Sequence, residues 1–202
     1  MRATLLAISL IAAGLLPASP ALADKEIAIF AGGCFWCVES DFDKVPGVLS
    51  TTSGYIGGST ANPTYYDHTA AGHREAVRIE FDNIRVSYDE LAAAFFHSVD
   101  PTDGGGQFCD RGHSYTTAIY AVGEAQLAAA EKAKKAAAKE LKQELATEIA
   151  AAPEFWPAEG YHQDYYKKNP LRYKYYRNGC GRDARLQEVW GASALKGINK
   201  GS

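Results

Sequence analysis

Val77, Ile79 and Phe81 alternate with Arg78 and Glu80, the period-two pattern of a strand with one face in a core. Upstream, the continuous apolar run Ile27 to Ala31 stops at Gly32-Gly33 and reads as a first strand. Cys34 to about Lys44 then reads as a helix, closed by Pro46-Gly47. Val48 to Tyr55 is a second strand, after which Gly57-Gly58 and Asn62-Pro63 mark a long irregular segment carrying Tyr65 and Tyr66. Ser87 with Glu90 three residues later forms a capping box, which starts a helix over Tyr88 to His97.

A second long loop, rich in Gly and Asp, runs from Asp100 to Tyr115, and loops of that length in a compact domain are mostly functional or disordered. A strand follows over Thr116 to Val122. The Ala-, Lys- and Glu-rich stretch from Glu124 to about Leu145 is the strongest helical signal in the chain, and a short strand falls near Thr147 to Ala150. Beyond Pro157 the chain is dense in aromatics and reads as an irregular tail with a short helix near Asp183 to Trp190. Strands and helices mix without strict alternation, which predicts an α+β fold with helices against one sheet. No repeat or internal domain boundary interrupts it.

The first 23 residues stand outside this pattern. Arg2, an uninterrupted small-and-apolar core from Leu5 to Leu16 and the small-x-small site Ala21-Leu22-Ala23 read as a cleaved signal peptide. That core is too short to span a bilayer. Cleavage leaves residues 24–202 as a single catalytic domain, large enough for a substantial core. Export, with a periplasm as the expected destination, places four cysteines in an oxidising compartment where bridges form.

Charge narrows the partners. The whole chain has 21 Lys+Arg against 24 Asp+Glu, and loss of Arg2 leaves 20 against 24, with both signs interspersed. Nothing in that balance calls for nucleic acid or an anionic membrane. The lysines between Lys132 and Lys142 share their helical run with Glu131 and Glu140, which is a solvated face.

The chemistry concentrates at Gly32-Gly33-Cys34-Phe35-Trp36-Cys37. A cysteine at a strand-to-helix turn meets free N–H groups and the positive end of the helix dipole, which favour the thiolate. Cys37 lies one turn further on. Taken alone, Cys-x-x-Cys in this setting also suits a thioredoxin-type thiol–disulfide oxidoreductase, and the aromatic tail alone would suit a secreted binding module. The histidines and cysteines fit no standard zinc spacing, so no metal is expected.

Six further stretches decide between these readings. Gly54-Tyr55-Ile56-Gly57-Gly58, Asn62-Pro63-Thr64-Tyr65, Gly72-His73-Arg74-Glu75-Ala76-Val77, Asp100-Pro101, Gln107-Phe108-Cys109-Asp110-Arg111-Gly112-His113-Ser114-Tyr115 and Ala158-Glu159-Gly160-Tyr161-His162-Gln163 follow Gly33-Cys34-Phe35-Trp36 in order. In this the chain resembles the A class of peptide methionine sulfoxide reductases, from Phe30 to about Pro170.

The resemblance implies a two-layer α/β plait with a ferredoxin-like core and mixed sheet, and reduction of methionine S-sulfoxide, free or in proteins, without a cofactor. It implies that Cys34 attacks the sulfoxide sulfur, that Glu75 is the acid, that Tyr65 and Tyr115 are hydroxyl donors and that Asp110 orders the site. Phe35 and Trp36 would hold the S-methyl group, and aromatic faces suit such a methyl. The sulfenic acid left on Cys34 condenses with a second thiol, and a thioredoxin-like dithiol reductant restores the enzyme, which acts as a monomer. Cys37 is the expected resolving cysteine, with Cys180 as the alternative, because relatives keep a resolving cysteine in a Gly-flanked tail. If Cys34 and Cys37 form the redox pair, the two cysteines left over, Cys109 and Cys180, would tend to pair in an oxidising compartment.

Overall fold

The computed structural model describes residues 24–198, so the expected signal peptide lies outside the described residues. Its elements are β1 (Lys25–Gly32), α1 (Phe35–Phe42), β2 (Val48–Ile56), β3 (Arg74–Asp82), α2 (Tyr88–His97), β4 (Gly106–Gln107), β5 (Asp110–Arg111), β6 (Thr117–Ala121), α3 (Glu124–Leu141), β7 (Glu148–Ala151), β8 (Phe155–Pro157), α4 (Tyr165–Lys168), α5 (Pro170–Gly179) and α6 (Arg182–Trp190).

The large sheet runs β7-β6-β1-β3-β2-β8, while β4 and β5 form a separate small hairpin. The units β1-α1-β2-β3-α2-β6 make a βαββαβ motif with its strands in the order fourth, first, third, second, all antiparallel to their neighbours. That is the ferredoxin-like plait. Parallel pairing of β7 with β6 makes the sheet mixed.

Alternation along the strands sorts the two faces. Ala28, Phe30, Val77, Ile79, Phe81 and Ile119 face the main core, where they meet Val38 and Phe42 of α1 and Leu91, Phe95 and Phe96 of α2. Ile29, Ala31, Ile56, Ala76, Ala118 and Tyr120 form a thinner cluster on the opposite face. Apolar side chains thus drive helices to one side of the sheet and leave the other lightly covered. The capping box at Ser87 and Glu90 is present at the start of α2.

The tail departs from expectation. It carries α5, which the sequence pattern did not announce, besides α6 near the expected helix. Its helices dock through polar anchors as well as through the buried apolar residues Leu186 and Trp190 of α6. Arg182 is almost fully buried and donates to the carbonyls of Gly32 at 3.2 Å and Ser98 at 2.8 Å, and Arg177 pairs with buried Asp41 of α1 at 2.8 Å. Trp190 donates its indole N–H to the Val99 carbonyl at 2.8 Å. Helix α3 ends four residues earlier than the composition suggests, because Lys142 turns left-handed at φ 54°. Among the described residues no helix is long and apolar enough to cross a membrane.

The turn after β1 depends on Gly33. Its φ is +82°, and a Cβ there would lie 2.6 Å from the Cβ of Gln107. Gln107 cannot move aside cheaply, since its side chain accepts from the Asp100 N–H and donates to the Asp100 carbonyl. We expect Gly33→Ala to cost about 1–3 kcal/mol from the backbone conformation, with the clash adding to it. A lowered urea midpoint at unchanged denaturant slope is the measurement.

Candidate active site

Antiparallel pairing assembles the site at one end of the sheet. β1 ends at Gly32, two residues before Cys34; the register Phe30↔Val77 brings the start of β3, with Glu75, alongside that end. Gly32 pairs with Thr117 at the start of β6, which delivers Tyr115 from the preceding turn. Three stretches distant in sequence therefore converge because both neighbours of β1 run against it.

Here they enclose a cavity of about 60 Å³, lined by Cys34, Phe35, Trp36, Tyr65, Glu75, Asp110, Tyr115 and Tyr176. Seven of these eight are the residues the sequence singled out. The space is small, on the scale of one side-chain tip. Cys34 is 6% exposed, so its sulfur is buried but lines the opening.

Glu75 is 3% exposed, and its Oε2 accepts the Phe35 backbone N–H at 2.9 Å. Burial pushes its carboxyl up to about 8, helped by the charges of Asp110 and Cys37 and opposed by the Phe35 N–H. The group accordingly keeps its proton at neutral pH. Burial also raises the hydroxyls of Tyr65 and Tyr115, with Glu75 as the leading electrostatic contributor to each. They remain donors throughout the physiological range.

The two thiols differ from the expectation of a Cys34 held ionised by the start of the helix. Phe35, first in α1, donates its N–H to Glu75 rather than to sulfur, and Cys34 makes no side-chain cap. Burial pushes the Cys34 thiol well up, Cys37 and Glu75 push it further, and only the Tyr176 hydroxyl pulls it down. Cys37 is hydrogen-bonded to Cys34, and this bond, with the guanidiniums of Arg182 and Arg177, brings it down to about 7 despite burial. The two thiols titrate as a coupled pair, with the shifts running toward easier loss of the proton from Cys37 than from Cys34.

Ring contacts build the aromatic side of the cavity. Trp36 stacks on Tyr165 with centroids 3.8 Å apart and 8° between the planes, and its indole N–H donates to His162 Nδ1 at 3.1 Å. Phe35 packs against Tyr55 and His162. Glu159 accepts from the Tyr55 hydroxyl at 2.8 Å and from the Tyr65 N–H at 2.9 Å, which fixes the irregular segment beside the opening.

Sequence reasoning assigned no role to Tyr176, Glu159 or His162. The last two sit in a quoted motif, so a signal for them existed. Tyr176 was one aromatic among many in the tail; it donates a hydrogen bond to Asp110 Oδ2 and lines the cavity beside Cys34. Burial raises Asp110, and this hydrogen bond opposes the rise.

Cys109 and Cys180 form a disulfide across 71 residues with Cα atoms 4.9 Å apart, while Cys34 and Cys37 are free thiols. In this state Cys180 is not available to resolve Cys34. Cys109, Asp110 and Cys180 are also the one cluster among the described residues with metal-ligand atoms close together, and both of its sulfurs are spent on the disulfide.

Two hydrogen-bonded thiols, a buried protonated carboxyl and a cavity fitted to one side-chain tip define a thiol-based oxidoreductase. Comparison with known proteins narrows the class. Residues 26–194 match the family model described as peptide methionine sulfoxide reductase. Peptide methionine sulfoxide reductase MsrA 2 of Rhizobium meliloti (strain 1021) is 57% identical over 185 residues, covering 92% of each chain. The MsrA of Bacillus subtilis (strain 168) is 48% identical, covering 83% of this chain and 97% of that one. Among solved structures, methionine sulfoxide reductase A of Corynebacterium diphtheriae superposes with a TM-score of 0.70 at 35% identity, covering 73% of this chain and 76% of that one. The chain belongs to the peptide methionine sulfoxide reductase family.

Proposed function

We propose that this chain reduces methionine S-sulfoxide, free or within polypeptides, with Cys34 as nucleophile, Glu75 as acid and Cys37 as resolving thiol. The observation that carries this reading is the single small cavity that places a thiol of a redox-capable pair beside a carboxyl kept protonated at neutral pH.

The steps follow from the groups present. The sulfoxide's methyl lies against Phe35 and Trp36, and its oxygen meets the donors Glu75, Tyr65 and Tyr115. Transfer of the Cys34 proton along its hydrogen bond to Cys37 moves the pair's charge onto Cys34, which attacks the sulfoxide sulfur. Glu75 protonates the departing oxygen, because that oxygen cannot leave as a free anion. The protonated oxygen is then taken up by the Cys34 sulfur as the S–S bond made in the attack breaks. Methionine leaves with both bonding electrons, so its sulfur gains two electrons and Cys34 loses two, leaving Cys34–SOH. Cys37 then displaces hydroxide as water and forms the Cys34–Cys37 disulfide. An external dithiol of thioredoxin type returns both thiols by exchange. Asp110 and Tyr176 hold the sulfur in place for the attack.

Supporting the choice of Cys37 are its hydrogen bond to Cys34 and the engagement of Cys180 elsewhere. Export to a periplasm, with residues 1–23 as a signal peptide, agrees with the Cys109–Cys180 bridge, since such bridges persist in oxidising compartments.

The reading is tested by dithiol-dependent turnover of dabsylated methionine S-sulfoxide, and absence of turnover would refute it. In the same assay Tyr65→Phe and Tyr115→Phe each remove one donor to the sulfoxide oxygen. Each should lower kcat by roughly 10²-fold, the scale of one lost oxyanion donor, with a smaller change in KM. Unchanged kcat in both would remove the hydroxyls from the mechanism.

A further inference from the structure

Three contacts join the second disulfide to the reacting sulfur. Cys180 caps α5, and its N–H donates to the carbonyl of Tyr176 one turn earlier at 2.9 Å. Cys109 occupies the turn between β4 and β5, next to Asp110, and its sulfur lies 3.9 Å from Asp110 Oδ1. Tyr176 donates to Asp110 Oδ2, and both side chains line the same small cavity as Cys34. The bridge therefore ties together the two backbone segments whose side chains meet at the nucleophile.

We propose that the Cys109–Cys180 disulfide is a positioning clip for sulfoxide attack, holding Tyr176 and Asp110 on Cys34, so that the rate of attack depends on the redox state of this second pair. The proposal rests on the sulfoxide-reduction reading above. Asp110 is carried on a two-residue ladder, Gly106↔Arg111 and Gln107↔Asp110. Phe108 in that turn is held left-handed at φ 55°, with its ring 4.6 Å from the Arg182 guanidinium. Such a short hairpin has little stability of its own. The covalent link fixes its distance from α5.

Exposure gives the clip a chemistry of its own. Cys109 is exposed and Cys180 half-buried, whereas Cys34 and Cys37 are buried. A small dithiol reaches the clip more readily than the resting redox pair. Its thiolate attacks one sulfur to give a mixed disulfide, its second thiol displaces that bond, and Cys109 and Cys180 leave as two thiols while the reductant is oxidised to a disulfide. Loosened from α5, Asp110 no longer fixes the Tyr176 hydroxyl, and the cavity wall beside Cys34 loses its set position.

The test is a double-mutant cycle on the full chain, read as the single-turnover rate of methionine formation without reductant. Cys109→Ser with Cys180→Ser should slow that rate by about 10- to 100-fold, the scale of a misplaced reacting group, with the affinity for sulfoxide little changed. Tyr176→Phe should slow the native-clip enzyme but add little when the clip is absent. A bridge that only stabilises the fold would leave the effect of Tyr176→Phe the same in both backgrounds, and that additivity would overturn the proposal, as would a wild-type rate in the double-serine variant. Circular dichroism checks folding; Cys109→Ala with Cys180→Val carries the same cycle if the serine pair does not fold. A wild-type chain inert to methionine sulfoxide would instead refute the underlying function.

Discussion

Cys34→Ser should lower sulfoxide reduction by roughly 10⁴-fold or more, the scale seen when a covalent nucleophile is removed. A hydroxyl at this position has nearly the volume of the thiol but no accessible anion, and oxygen cannot take on the oxidation that sulfur accepts. The loss therefore falls on the chemical step, and no concentration of dithiol restores it. Cys37→Ser behaves differently. Its Cys34 still attacks, more slowly because Cys37 no longer takes up its proton, so one equivalent of methionine forms, but the sulfenic acid persists and is trapped by dimedone. The contrast between a variant with no first turnover and one arrested after it separates nucleophile from resolving thiol.

Glu75→Gln should lower kcat by roughly 10²- to 10⁴-fold, the range of a lost general acid. The amide still accepts the Phe35 N–H that Glu75 Oε2 accepts at 2.9 Å, so the start of α1 is preserved while the transferable proton is gone. The pH dependence has a definite sign. Burial raises Glu75 to about 8, and the acid works when protonated, so its contribution to kcat/KM is present below that value and falls as pH rises through it. In the Gln variant this alkaline limb disappears, and acidification does not restore activity.

Stability carries the same signature. The native state binds the Glu75 proton more tightly than the unfolded chain, so this contribution is full below the ordinary value of 4.5 and is lost as pH rises from there through about 8. Glu75→Gln should consequently resist urea better than the wild type at pH 9 while remaining nearly inactive. A variant that lost both activity and stability at that pH would assign Glu75 a packing role instead.

The plait was legible wherever one face of an element carried the signal. β3 announced itself by Val77, Ile79 and Phe81, and α2 by its capping box, because burial on one side and capping are local in sequence. α5 was not legible. Its core contact is made by Tyr173 and Arg177, and a buried guanidinium held by Asp41 looks like a solvated charge until the partner helix is known. β8 is only three residues long, too short to show a period, and pairs with β2 at the sheet edge.

At the site, motif order picked out seven residues that line one cavity, but not how the two thiols differ. That difference turns on Phe35 giving its N–H to Glu75 and on two buried arginines acting on Cys37. Both are products of tertiary packing, as is the use of Tyr176.

The most direct test of the central claim maps the cysteines after one turnover. Reductant-free enzyme is mixed with one equivalent of methionine S-sulfoxide, alkylated and digested, and the bridged peptides are identified by mass. We expect one methionine released per chain, Cys34 bridged to Cys37, and Cys109–Cys180 unchanged. Methionine release with Cys34 still open to alkylation, or Cys34 bridged to Cys180, would contradict the account.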